Sequence, residues 1–408
     1  HEIRRIQPDP NQIKAAAERL KSSKKPIIIA GGGVLYSEAE KELSDFAKKH
    51  NIPVTPTVMG LGCMDRYDPY YIGAIGALGA GSSNSLSKDT DLALAVGTKL
   101  GDFTTGSWAN FENQDFKLVS INTTRFDVTK HMATPVISDA KVGFEELSKA
   151  LGDWKAPSIW FDRAIKERTE WDSYVDKESG PTNQELPSYA HAVGAVYRNA
   201  DPSDIVVTAA GGLVGEVVQI WKPKQKNTFE TEWGFSCMGY EISGALGIKM
   251  AKPDQDVIVF IGDGSYLLAN SDIYSSVIYD KKLIIVVCDN GGHMVINRLQ
   301  LAKGGKEYIC NLRAARASNL QFVDFEAHAK SMGANGETVS STSELEAAFL
   351  RAKKSDKTYV ISLKTDGYQW LDGTAFWESP TLEVHSTEEN KKAYSDFVEG
   401  KNKQRKGV

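Results

Sequence analysis

Two oxygen-bearing side chains set among glycines stand out: Asp263 in Gly262-Asp263-Gly264-Ser265 and, 27 positions later, Asn290 in Asp289-Asn290-Gly291-Gly292. Each turn follows a run of apolar, mostly β-branched residues, 257–261 and 283–288, that reads as a strand buried on both faces. Residues 266–279 between them suit a crossover helix. A right-handed crossover brings neighbouring parallel strand ends together. The two turns are therefore expected side by side at the carboxyl edge of a sheet, where α/β proteins hold ligands. There the Asp263 carboxylate, the Asn290 amide oxygen and a main-chain carbonyl of the second turn, that of Gly292, can share one hard cation. Mg2+ takes a few protein oxygens and completes its shell with phosphate and water. The amides of Gly264 and Ser265, at a helix start, suit an anion. The chemistry expected is that of a magnesium diphosphate.

Gly-Asp-Gly by itself is also an ordinary turn; the spacing, the two strands and the closing Asn-Gly-Gly carry the reading. The elements around it point to an α/β fold with two doubly wound parallel-sheet domains. Residues 1–152 form the first, a Rossmann-like domain. Its helix is expected at 11–22 and its strands at 26–30, 51–57, 91–96, 117–121 and 135–137, with a further helix at 37–50. Gly31-Gly32-Gly33 closes the first strand, but the Gly-x-Gly-x-x-Gly spacing and an acidic residue at the end of the next strand are missing. A tight turn without ligand is the favoured reading there. Residues 153–186, charged and Trp-rich, are expected to be a helical linker and loop. The second domain covers 187–375, with a helix at 189–198, a strand at 205–208, the turn Ala209-Ala210-Gly211-Gly212-Leu213 and a late strand at 359–363. Residues 298–319 read as an irregular lid, and 376–408 as a C-terminal helix and tail.

Gly262-Asp263-Gly264, followed after a little under thirty residues by Asp289-Asn290, resembles the thiamine diphosphate motif of the decarboxylase and acetolactate-synthase superfamily. The usual form closes on two asparagines; here aspartate comes first. Along the whole chain the resemblance is to one branch, the trihydroxycyclohexane-dione hydrolases of myo-inositol breakdown. It is carried by residues 232–242 (EWGFSCMGYEI), 262–267 (GDGSYL) and 101–105 (GDFTT), with Ser243-Gly244-Ala245 where acetolactate synthases carry Pro-Ala-Ala.

That resemblance implies hydrolysis of a carbon–carbon bond in a cyclic 1,2-dione, giving a deoxy-glucuronic acid. Thiamine diphosphate would serve as carbanion source and electron sink, with Mg2+ as its metal. It places Asp263, Asn290 and Gly292 on the metal, and Gly264, Ser265 and the main chain of Gly212 and Leu213 on the diphosphate. Met238 would bend the two cofactor rings, and the Ser236 carbonyl would receive the exocyclic amine. Glu232, Tyr240 and Arg298 are candidates for reading substrate hydroxyls, each with a structural alternative. The first domain is implied to be the superfamily's central domain, which binds FAD in acetolactate synthase and is mostly structural elsewhere. The glutamate that activates the cofactor belongs to a pyrimidine-binding domain, of the same or a neighbouring subunit. The chain starts at His1 in linker-like sequence, so it is expected to lack that domain and to be inactive alone, within a homodimer or homotetramer. The alternatives are an acetolactate-synthase-like ligase or decarboxylase, and a catalytically silent cofactor-binding fragment.

With 408 residues, mixed charge and a net charge of −5, the chain offers no electrostatic reason to bind nucleic acid or an acidic membrane. No apolar run is long enough to span a bilayer and no signal peptide is evident, which predicts a cytoplasmic protein. Its four cysteines form no Cys-x-x-Cys pair, and its seven histidines form no metal-binding cluster.

Overall fold

In the first sheet, apolar residues fill both faces of the strands, which forces helices onto both sides. The computed structural model describes residues 3–405, so His1, Glu2 and the last three residues of the basic tail lie outside the described residues. The strands are β1 (Pro26–Ala30), β2 (Val54–Pro56), β3 (Leu92–Val96), β4 (Lys117–Asn122) and β5 (Thr134–Ile137), all parallel in the order β2-β1-β3-β4-β5. Ile28 and Ala30 of β1 face one cluster, with Leu43, Phe46 and Phe144; Ile27 and Ile29 face another, with Phe111 and Trp160. The first helix, Pro10–Ser22, starts where the Asp9 carboxylate caps the amides of Asn11 and Gln12.

Two expected boundaries move. The helix expected from residue 37 begins at Glu40, after a separate short helix Gly32–Tyr36. The strand expected at 51–57 shrinks to β2, because Asn51 is the left-handed cap (φ 56°) that stops the preceding helix.

The chain forms two compact units. One comprises the chain up to Tyr174, Asp372–Pro380 and the chain from Asp396 on; the other comprises Val175–Leu371 and Thr381–Ser395. Residues 153–186 contain the helix Ser158–Glu178, whose Trp160 and Ala164 are buried against the first sheet, with the Trp160 indole donating to the Pro26 carbonyl at 2.9 Å. The late segments also bind the first unit: the Gln404 amide donates to the Ser107 carbonyl at 2.9 Å, and Arg405 to the Asn113 carbonyl at 3.0 Å.

The second unit holds β6 (Ile205–Thr208), β7 (Phe229–Thr231), β8 (Val257–Gly262), β9 (Ile284–Asp289), β10 (Asn335–Val339) and β11 (Tyr359–Lys364). They are parallel in the order β10-β11-β9-β8-β6-β7. The crossover after β8 is two helices, Asp263–Leu268 and Ser271–Ile278, rather than one, because Ala269 leaves helical geometry (φ −151°, ψ 79°). The expected lid is irregular only in its later part; Arg298 lies on the helix Met294–Ala302. The last helix is Glu388–Lys403. Among the described residues, no helix is long and apolar enough to cross a membrane.

Candidate functional site

Register sets the site. Gly262, the last residue of β8, pairs with Cys288 of β9, so Asp263 and the Asp289-Asn290 turn leave adjacent strands at the same level. β6 and β8 are neighbours whose connections run in opposite directions, toward β7 and toward β9. Their carboxyl ends therefore border a crevice, the position at which open parallel sheets take ligands.

The Asp263 carboxylate is 5% exposed and accepts the Gly292 N–H at 2.7 Å. This bond joins the two turns directly. Burial, together with the nearby Asp289 charge, pushes the Asp263 carboxyl up to about 7, against the main-chain donors of Gly292 and Gly264. A cation at that carboxylate favours its ionised form. Asp289 turns back on its own loop and accepts the Gly291 N–H at 3.0 Å. Gly291 (φ 81°) and Gly292 (φ 141°) adopt backbone conformations that other residues rarely tolerate.

Asn290 is 2% exposed, and its amide nitrogen donates to the Tyr189 hydroxyl at 2.6 Å. That bond fixes the amide, leaving Oδ1 buried without a hydrogen-bond partner. A buried acceptor left unmet costs about 1–3 kcal/mol, and a cation at that oxygen removes the cost. The donor set of one carboxylate, one amide oxygen and one main-chain carbonyl fits Mg2+ with phosphate and water as the remaining ligands.

Gly264 and Ser265 form the first turn of the helix Asp263–Leu268. A Cβ at Gly264 would lie 2.6 Å from the His293 ring, so glycine keeps that imidazole close. Gly212 caps the helix Leu213–Ile220, and a Cβ there would lie 2.0 Å from the Trp370 ring. The Leu213 side chain is buried, so only its main chain can face a ligand. Ser236 is left-handed (φ 53°), and its hydroxyl donates to the Ala209 carbonyl at 3.4 Å. Met238 is 37% exposed, which removes it from the core.

The substrate candidates differ. Glu232 accepts the amides of Phe235 (2.8 Å) and Cys237 (2.7 Å) and so shapes its own loop. Burial raises its carboxyl, but the main-chain donors of Cys237, Phe235 and Gly234 outweigh this and hold it below the ordinary range. Tyr240 packs against Gly244 of the next helical turn. Arg298 lies over the Trp370 ring at 5.2 Å.

Four residues of this region were not singled out from the sequence. Tyr189 orients Asn290 from 101 positions away. Trp370 covers Gly212. Glu216 is fully buried, and burial pushes its carboxyl up to about 7; one oxygen accepts the Leu371 N–H at 3.1 Å and the other has no partner. Glu241 accepts the Gly239 and Ala210 amides. Its sequence signal is a carboxylate in the first turn of a mostly apolar helix, YEISGALGIKMA.

Fold and site together define an α/β protein with a polar, glycine-lined crevice at the strand ends of its second sheet. Family models agree along the chain. "Thiamine pyrophosphate enzyme, central domain" matches residues 13–147, and "Thiamine pyrophosphate enzyme, C-terminal TPP binding domain" matches residues 209–363. The chain belongs to the thiamine pyrophosphate enzyme family. Among its relatives are proteins named 3D-(3,5/4)-trihydroxycyclohexane-1,2-dione hydrolase. The one from Halalkalibacterium halodurans is 33% identical over 97% of the chain, and the one from Bacillus licheniformis 34% over 97%; the chain covers 66% of each. A third, from Clostridium tetani, is 33% identical over the whole chain, which covers 68% of it.

Proposed function

We propose that the protein containing this chain is a thiamine diphosphate- and Mg2+-dependent hydrolase. It would open the ring of trihydroxycyclohexane-1,2-dione at a carbon–carbon bond, giving 5-deoxy-glucuronate in myo-inositol degradation. The observation that carries this reading is the match to hydrolases of that name along 97% to 100% of the chain. The chain spans about two thirds of their length, so the activity is assigned to the whole protein.

Thiamine diphosphate, when bound, supplies a nucleophilic carbanion and an electron sink. In this reading Asp263, Asn290 and the Gly292 carbonyl hold Mg2+. The amides of Gly264, Ser265 and the Gly212–Leu213 helix start take the diphosphate. Met238 supports the rings and the Ser236 carbonyl accepts the exocyclic amine. No glutamate of this chain is assigned to cofactor activation; that group comes from a pyrimidine-binding domain of the same or a neighbouring subunit, in a cytoplasmic homodimer or homotetramer. The test is to supply the full-length protein with the dione, thiamine diphosphate and Mg2+ and to follow the acid product. Ring opening that requires both cofactors is expected. No ring opening, with tightly bound yellow FAD instead, would overturn the reading in favour of a ligase of the acetolactate-synthase type.

A further inference from the structure

We propose that Glu241 is a positioning residue that locks three cofactor-lining turns to one another through a single carboxylate. The inference rests on the reading above that this crevice binds thiamine diphosphate. Glu241 is 1% exposed and is the second residue of the helix Tyr240–Ala251. Oε2 accepts the Gly239 N–H at 2.8 Å, and Oε1 accepts the Ala210 N–H at 3.4 Å. Burial raises the Glu241 carboxyl above its ordinary range; these main-chain donors and the nearby Ser265 hydroxyl oppose that shift.

Ala210, Gly239 and Ser265 come from separate parts of the crevice. Ala210 lies in the turn after β6, two residues before Gly212. Gly239 follows Met238 and takes a left-handed conformation (φ 94°). Ser265 belongs to the short helix that follows β8. The connections between these turns are otherwise long: Ala210 and Glu241 are 31 positions apart.

The residue type follows from the donors. An ionised carboxylate only accepts, so both Glu241 oxygens can take main-chain N–H donors at once. Glutamine has the same shape but turns one oxygen into an NH2 group, which would face a main-chain N–H that cannot accept. Aspartate is one methylene short of the span. Glu241 touches neither metal nor diphosphate in this scheme; it acts through the turns that do.

The experiment compares the full-length protein with its Glu241→Gln, Ser265→Ala and double variants. Thiamine diphosphate affinity is titrated by protein fluorescence in the presence of Mg2+, and melting of the cofactor-free proteins is recorded alongside. Glu241→Gln is expected to weaken binding roughly tenfold or more, and Ser265→Ala by a few-fold, as for hydrogen bonds to a charged group. The double variant should lose less than the sum of the two single losses, since both changes act on the same contact. Lowered melting with unchanged affinity would overturn the inference and leave Glu241 a purely structural residue. Fully additive losses would also overturn it. Should Glu241→Gln fail to fold, unchanged affinity in Ser265→Ala decides against the inference. A parent that binds no thiamine diphosphate would overturn the cofactor reading itself, and this inference with it.

Discussion

The two sheets share one device and use it differently. Each reverses the direction of its connections between two neighbouring strands, β1 and β3 in the first and β6 and β8 in the second. Each lines that reversal with glycine. In the first sheet the glycines let two main chains touch. A Cβ at Gly31 would lie 2.3 Å from the Gly97 carbonyl oxygen, one at Gly33 2.6 Å from the Gly97 Cα, and one at Gly60 2.1 Å from the Ala30 carbonyl oxygen. The Gly33 N–H donates to the Gly97 carbonyl at 3.0 Å, so the crevice is filled by the chain itself. In the second sheet the turns carry Asp263, Asn290 and Ser265, and the Asn290 oxygen is left unmet. A topological switch point therefore offers a site without guaranteeing one; the side chains at its rim decide.

The sharpest way to break this contrast is Asp263→Ala. Loss of the carboxylate proposed to hold Mg2+ should weaken Mg2+-dependent thiamine diphosphate binding by more than the roughly 10–100-fold typical of losing an outer-shell partner, as read by calorimetric titration. Undiminished binding would mean that the second edge is no metal site. Gly33→Ala probes the other edge. The new methyl group meets backbone that must shift, so stability should fall by up to about 3 kcal/mol in chemical denaturation, with cofactor affinity unchanged. A loss of affinity at normal stability would show that the first edge also serves a ligand.

Glu216→Gln sharpens the energetic side of the comparison. Burial raises the Glu216 carboxyl from its ordinary 4.5 to about 7. The folded state therefore prefers its protonated form, and the stability this contributes is complete below pH 4.5 and lost as pH rises through about 7. The glutamine variant should flatten that dependence and be more stable by about 3 kcal/mol at pH 8. Parallel pH profiles for the two proteins would show that Glu216 does not titrate in that window.

Much of this was legible in the sequence because it is local. Runs such as residues 257–261 and 283–288 are apolar on both faces, and only a strand inside a parallel sheet fits them. Asp263 and Asn290 follow those runs closely, so the same runs locate the two turns of the candidate site. β7 and β10 escaped notice because Phe-Glu-Thr and Asn-Gly-Glu-Thr-Val are short, polar edge strands without an apolar run. Tyr189, Glu216, Glu241 and Trp370 escaped for another reason. Each acts on partners that only the folded chain brings close, such as Glu216 on Leu371, 155 positions on. No periodicity marks a residue whose role is to hold another in place.

The return of the last segments to the first unit bears on the order of events during synthesis. Ser107 waits for Glu378, whose N–H meets its hydroxyl at 2.9 Å, and for Gln404. At translation speeds of roughly 5–20 residues per second, the ribosome has the entire second sheet still to make after Tyr174 emerges. The first unit thus spends on the order of tens of seconds with that face open to solvent and chaperones, although its strands come first in the chain.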